Sequence, residues 1–268
     1  MANNMHRFPF DFGFVIRSPN KKIYGFSILT QNLTNVINSI GKICTENHIN
    51  IINIKINTSW EEETHVFLAI DMTDTHIELP DFKSKLLNIE GIKDVEIINP
   101  IIPGLLIDTT HYPLKTYRGR AIIASEPTLQ GIFVGLREQL KEPIASITLW
   151  NIGYSIGKRL WDVYYSFRGA VVKDVIEIFG RTRVAAGWVS DFELVEYDPV
   201  GYRAVVRVWD NIECSIVGRT GKAESHYIRG ILAGFFTKHF DVECQAFETR
   251  CISKDDPYCE YEIKPKQK

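Results

Sequence analysis

Phe247-Glu248-Thr249-Arg250-Cys251-Ile252-Ser253-Lys254-Asp255-Asp256-Pro257-Tyr258-Cys259-Glu260-Tyr261-Glu262-Ile263 sets a carboxylate and two thiols on what reads as one β-hairpin. Lys254-Asp255-Asp256-Pro257 is turn chemistry, because Asp side chains imitate a backbone turn and proline presets φ. The flanking runs mix β-branched, aromatic and polar residues, as half-buried strands do. A cysteine at each shoulder brings two sulfurs to one side of the turn, close enough for a shared metal or a disulfide. Glu248 lies one short step upstream of Cys251, within reach as a third ligand.

Outward from the hairpin, residues 224–239 read as a helix with Gly230 and Gly234 one turn apart. Residues 187–197 and 202–208 read as paired strands across an Asp198-Pro199-Val200-Gly201 turn. Helices are expected over 127–141, 145–165 and 169–179, with Gly153 and Gly157 again one turn apart. Small residues at this spacing let another backbone approach closely. The region is α+β, an antiparallel sheet covered by helices.

Upstream, residues 22–98 alternate in a β-α-β-β-α-β order, the ferredoxin-like arrangement. The strands are expected at 22–29, 49–56, 65–72 and 91–98, and the helices after Asn32 and over 80–89, with a polar Trp60-Glu61-Glu62-Glu63 loop between the middle strands. Asn99-Pro100-Ile101-Ile102-Pro103-Gly104 carries the breakers of a linker. The expected domains are 1–99 with an N-terminal extension, a 100–104 linker, and 105–268. A chain of 268 residues exceeds what one core usually supports.

A formal net charge of −2 excludes a generally basic surface, so nucleic acid is not the expected partner. No apolar run reaches membrane-spanning length, and Met1–His6 lacks the pattern of a secretory signal, so a cytoplasmic address is expected. Five cysteines, an odd number without an export signal, argue against a disulfide framework. Cys44, in an apolar helical pattern, reads as core.

The E-x-x-C, polar turn and C-x-Y of Glu248–Tyr261 resemble the end of vinyl-4-reductase-type (4VR) domains, and residues 105–268 resemble that domain along most of their length. Asn47-His48-Ile49-Asn50-Ile51-Ile52 and Gly91-Ile92-Lys93-Asp94-Val95 look like parts of an ACT regulatory domain. Where ACT domains carry a glycine turn before the first helix, this chain has Gln31-Asn32-Leu33. The 4VR resemblance implies a fold shared with vesicle-tethering subunits, a cavity for hydrophobic or aromatic ligands, and a two-fold homodimer. Phenol-sensing members hold zinc with one Glu and three Cys. By position Glu248, Cys251 and Cys259 match three of these ligands, and the fourth falls on Ser225, a poor zinc ligand. His226 or Cys244 is then the expected substitute, in a structural rather than catalytic site.

Among the many aromatics of the second half, Tyr154, Trp188 and Trp209, together with His226, are the candidate ligand contacts. Gly218-Arg219-Thr220-Gly221-Lys222-Ala223 lacks the spacing of a phosphate loop, although a basic loop before a helix can still hold an anion. No G-x-S-x-G, H-E-x-x-H or dinucleotide fingerprint is present, so an enzyme is not the leading expectation. The expected function is a ligand-sensing regulator without its own DNA-binding output domain, acting through a regulatory protein partner. The alternative is a protein-assembly adaptor, and further behind stands a reductase of a small aromatic or tetrapyrrole substrate.

Overall fold

Alternation in Ile23-Tyr24-Gly25-Phe26-Ser27-Ile28 sends Phe26 and Ile28 to one face of a strand and Gly25 and Ser27 to the other. That strand is the centre of the first of two units, Met1–Leu114 and Lys115–Lys268, seen in a computed structural model that describes residues 9, 11–58, 63–116, 119–167 and 172–267. Residues 1–6, the Trp60-Glu61-Glu62 part of the expected loop, and Gly169 lie outside the described residues.

The first unit runs β1 (Val15–Arg17), β2 (Ile23–Thr30), α1 (Leu33–Glu46), β3 (Asn50–Thr58), β4 (Thr64–Asp71), α2 (Leu79–Leu87), β5 (Ile92–Ile98) and β6 (Leu105–Ile107). Its antiparallel sheet has the order β3-β4-β2-β5, with both helices on one face. Asn32 starts α1 by accepting the Asn35 amide at 3.2 Å. Phe26, Ile28, Val66 and Leu68 meet Val36, Ile40, Cys44, Phe82 and Leu86 in a core that encloses Cys44 as expected. The opposite face is covered by the β1–β6 pair, where Ile16 and Leu106 pack on Ile23, Phe67 and Ile98.

That pair shifts the expected boundary. Residues 100–104 are not a free linker, since Ser18 N–H donates to the Gly104 carbonyl at 2.8 Å, and β6 completes the first unit. The units divide after Leu114.

The second unit runs β7 (Lys115–Thr116), β8 (Gly119–Arg120), α3 (Glu126–Leu140), α4 (Ile144–Tyr165), α5 (Val172–Ala185), β9 (Asp191–Asp198), β10 (Arg203–Trp209), α6 (Ile212–Val217), α7 (His226–Phe240), β11 (Cys244–Arg250) and β12 (Cys259–Pro265). The main sheet has the order β11-β12-β10-β9 and is antiparallel throughout. Asp198 makes the β9–β10 turn by accepting the Val200 and Gly201 amides at 3.0 and 2.9 Å. The strand read from residue 187 begins at Asp191, because Gly187, at φ +75°, sits in the turn leaving α5.

The four glycines meet across a single helix pair. A Cβ on Gly157 would stand 2.0 Å from the Ile231 carbonyl oxygen, and one on Gly234 2.0 Å from that of Tyr154. Gly153 and Gly230 are equally closed, by Tyr227 and Trp150 carbonyls. α4 and α7 therefore touch backbone to backbone, and α7 is pressed between α4 and the sheet. Its residues Ile228, Ile231, Leu232, Phe235 and Phe236 are all buried.

Candidate metal centre and apolar cavity

The hairpin is more bent than its sequence pattern suggests. Glu248 faces Tyr261 across the β11–β12 ladder, a bulge follows, and a single 3-10 turn at Ile252–Lys254 leads to Asp255 in the left-handed region (φ 66°). Asp256 fixes the turn by accepting the Cys251 amide at 2.8 Å. This folds Cys251 back over the sheet toward Cys259.

Cys214, Glu248, Cys251 and Cys259 offer ligand atoms that all lie within 4.8 Å of one another. The Cys214 sulfur is 3.6 Å from that of Cys251 and 3.9 Å from that of Cys259. These separations are far beyond a disulfide bond. They match the edge of a tetrahedron with zinc–sulfur bonds of about 2.3 Å, which is about 3.8 Å. The three cysteines are at most 1% exposed, and Glu248 is half-buried.

The electrostatics also call for a cation. Burial pushes the Glu248 carboxyl up to about 8, against the Ser225 hydrogen bonds that favour its ionised form. Cys251 is held far below the ordinary thiol range by hydrogen bonds from Cys214 and then Cys259. Cys214 is correspondingly raised by its bonds to Cys251 and Cys259 and by burial. Cys259 is drawn down by Cys214, but Cys251 and burial outweigh this and push it up to about 12. Among the described residues no basic side chain is ion-paired with any of the four. Three thiols and a carboxylate, closed off from solvent without a counter-charge, fit a thiophilic divalent ion such as zinc.

A polar relay orients the carboxylate. Asn211 donates to the Tyr261 hydroxyl at 3.0 Å, which meets the Ser225 hydroxyl at 2.6 Å. Ser225 in turn donates to Glu248 Oε1 at 2.5 Å, and its amide reaches Oε2 at 3.4 Å. Metal sites commonly carry such supporting bonds behind the ligands.

Residues 204–265 match the vinyl-4-reductase (4VR) domain. The matched region runs from β10 through β12 and contains all four residues of the cluster. Two uncharacterized proteins of Methanocaldococcus jannaschii are similar in sequence. One is 27% identical over 120 residues, covering 45% of this chain and 65% of that protein. The other is 31% identical over 72 residues, covering 27% and 42%. The chain thus spans less than two thirds of either relative's length. Among solved structures, the phenol-responsive sensory domain of the transcription activator PoxR aligns at 16% identity and TM-score 0.49, over 55% of this chain and 77% of that one. A vinyl-4-reductase family protein of Methanocaldococcus jannaschii aligns at 19% identity and TM-score 0.39, over 55% and 85%.

The expected ligands Glu248, Cys251 and Cys259 come together, but the residue beside them is Cys214, not His226 or Cys244. His226 turns away, with Nδ1 3.2 Å from Arg229 and Nε2 3.8 Å from Glu224. Cys244 begins β11, at the far end of that strand from Cys251, and its thiol donates to the Val242 carbonyl at 3.3 Å. Cys214 went unassigned because it lies on α6, a helix of only six residues that hydrophobic periodicity does not reveal. The available signal was Asn211, which caps α6 by accepting the Glu213 amide at 3.1 Å.

Next to Cys214, Glu213 is fully buried and its carboxyl is pushed up to about 7 by that burial. It accepts the Tyr227 and Ile228 amides at the start of α7 and the Arg137 guanidinium at 3.2 Å. This removes the anion-holding reading of residues 218–223. The helix start is filled from within, and the Thr220 and Gly221 amides donate to the Ser253 carbonyl.

Between α5, α7 and the sheet lies a void of about 20 Å³, walled by Phe179, Trp188, Phe192, Val208, Ile228 and Leu232 among others. Trp188 is therefore at the cavity, as expected. Tyr154 instead stacks on Trp150 and donates to Thr237, Trp209 packs on Tyr258, and His226 stands at the start of α7; none of the three lines the void.

In the first unit, His111 Nδ1 is 2.9 Å from Asp108 and its Nε2 is 3.5 Å from the Ser27 hydroxyl. The order is that of a Ser-His-Asp relay, but Ser27 sits mid-strand, paired to both β4 and β5. It lacks the sharp turn that frees amides for an oxyanion. Asp108 serves its own loop by accepting the Thr110 amide and pairing with Lys55 at 3.3 Å. The constellation is a loop clasp.

Proposed function

We propose that this protein is a ligand-sensing regulator whose second unit takes a small hydrophobic or aromatic molecule into the space between α5, α7 and the sheet. The observation that carries the reading is the carbon-lined void at Trp188, Ile228 and Leu232, adjoining the 4VR region. At about 20 Å³ it holds at most one water, so a ligand enters only if the walls move apart. A sensor needs this property, because a ligand shifts a protein only between states that bind it differently.

Zinc, in this reading, is held by Cys214, Glu248, Cys251 and Cys259 and is structural, since all four positions come from the protein. No helix among the described residues is long and apolar enough to cross a membrane. Five free cysteines suit a reducing cytoplasm. The first unit serves as an ACT-like regulatory or dimerisation module. Ile144, Ile147 and Ile152 on α4, exposed by 57, 55 and 45%, support a homodimer through the helices. The same row suits a protein partner, which keeps an assembly adaptor as the second reading.

The test is a thermal-shift series of aromatic and aliphatic compounds on the zinc-loaded protein. A true ligand at a hundred times its Kd stabilises by about 2.7 kcal/mol. If none raises the melting temperature, the sensing reading fails, and a stoichiometric protein partner isolated without small-molecule dependence favours the adaptor.

A further inference from the structure

We infer that the ligand of this cavity is an organic anion, a carboxylate on an aromatic or aliphatic body, and that Arg183 recognises its charge. The inference rests on the sensing reading and adds the ligand's chemical class. Arg183 stands on α5 in the wall of the void, beside Phe179, Trp188 and Phe192. One guanidinium nitrogen, Nη2, donates to the Tyr164 hydroxyl at 2.9 Å, and the group lies over the Phe179 ring at 5.8 Å. Its Nε is shut away from solvent without a hydrogen-bond partner.

No carboxylate pairs with Arg183 among the described residues, although Arg137, Arg181, Arg203 and Arg207 each have one. Leaving a half-buried guanidinium without a counter-ion is costly, and Arg is the side chain best shaped to clasp a carboxylate with two parallel bonds. The closed void is bounded by carbon, including the stem of Arg183, so the charged head stands behind the wall rather than in the space. A ligand that parts α5 from α7 would bring its own head to Nε and its apolar body against Trp188, Ile228 and Leu232. Tyr164, already held by Thr182 and Arg183 through its hydroxyl, fixes the angle of the guanidinium.

The experiment uses the full zinc-loaded chain and two matched pairs of probes, benzoate against benzyl alcohol and decanoate against decanol, titrated by calorimetry and tryptophan fluorescence. The acid of a pair should bind roughly tenfold tighter or more, as a charge-assisted hydrogen bond provides. Arg183→Met should abolish that preference and Arg183→Lys should keep part of it. If the alcohols bind as well as the acids, or Arg183→Met retains the acid preference, the inference falls while the sensing reading stands. If neither member of either pair binds, both fall. Should Arg183→Met fail to fold by circular dichroism, the wild-type ratio and Arg183→Lys decide.

Discussion

Replacing Cys214 tests whether the metal centre has the ligand set seen here. Its sulfur sits 3.6 and 3.9 Å from those of Cys251 and Cys259, so Cys214→Ala removes one corner of the tetrahedron and leaves Glu248, Cys251 and Cys259 in place. Structural zinc sites contribute about 10–16 kcal/mol of binding, or about 3 kcal/mol for each of four ligands, so affinity should fall on the order of 10²-fold. Competition against a chromophoric chelator reads that change directly, and cobalt substitution should show weaker thiolate-to-metal absorption. Thermal stability should fall with the affinity, and the difference from wild type should shrink once both proteins are stripped of metal. Cys244→Ala and His226→Ala should leave zinc affinity unchanged. Wild-type affinity in Cys214→Ala, or an equal loss in either control, would refute the assignment.

Ser225→Ala removes the hydroxyl that donates to Glu248 and should weaken zinc about 10- to 100-fold while leaving one equivalent bound at saturation, as elemental analysis would show. Gly157→Ala puts a Cβ 2.0 Å from a backbone carbonyl of α7. It should cost about 1–3 kcal/mol in urea unfolding despite the better helix propensity of alanine, whereas Gly135→Ala, which meets nothing within 4 Å, should not destabilise. Burial holds His239 down at about 4 from 6.5, with Tyr197 at 2.9 Å from its Nε2. Between those values the unfolded chain binds the extra proton, so stability is full above 6.5 and declines as pH falls toward 4. The stability advantage of wild type over His239→Asn should therefore shrink by up to about 2 kcal/mol between pH 7 and 5. A constant difference in denaturation across that range would show that His239 charges freely in the folded state.

Much of the architecture was legible because its signals are local. The alternation in residues 23–30, the Asn32 cap, the Asp198–Gly201 turn and the paired glycines each announce an element from a few neighbouring residues. The pairing of β1 with β6 was not legible, because strands of three residues carry no usable period and meet only through contacts distant in the chain. The same limit concealed α6, whose six residues show a cap but no apolar stripe.

By itself the sequence determined that Glu248, Cys251 and Cys259 share a hairpin, since a turn brings its own shoulders together whatever surrounds it. It also determined that the two helices bearing spaced glycines would accept close partners. Which partners they take depends on how separate elements pack. Tertiary structure alone placed Cys214 over the hairpin while turning His226 toward Arg229, because α6 and α7 leave the sheet in different directions. It alone put Trp188 at the void and Tyr154 against Trp150, since both are aromatic and only packing separates a cavity wall from core.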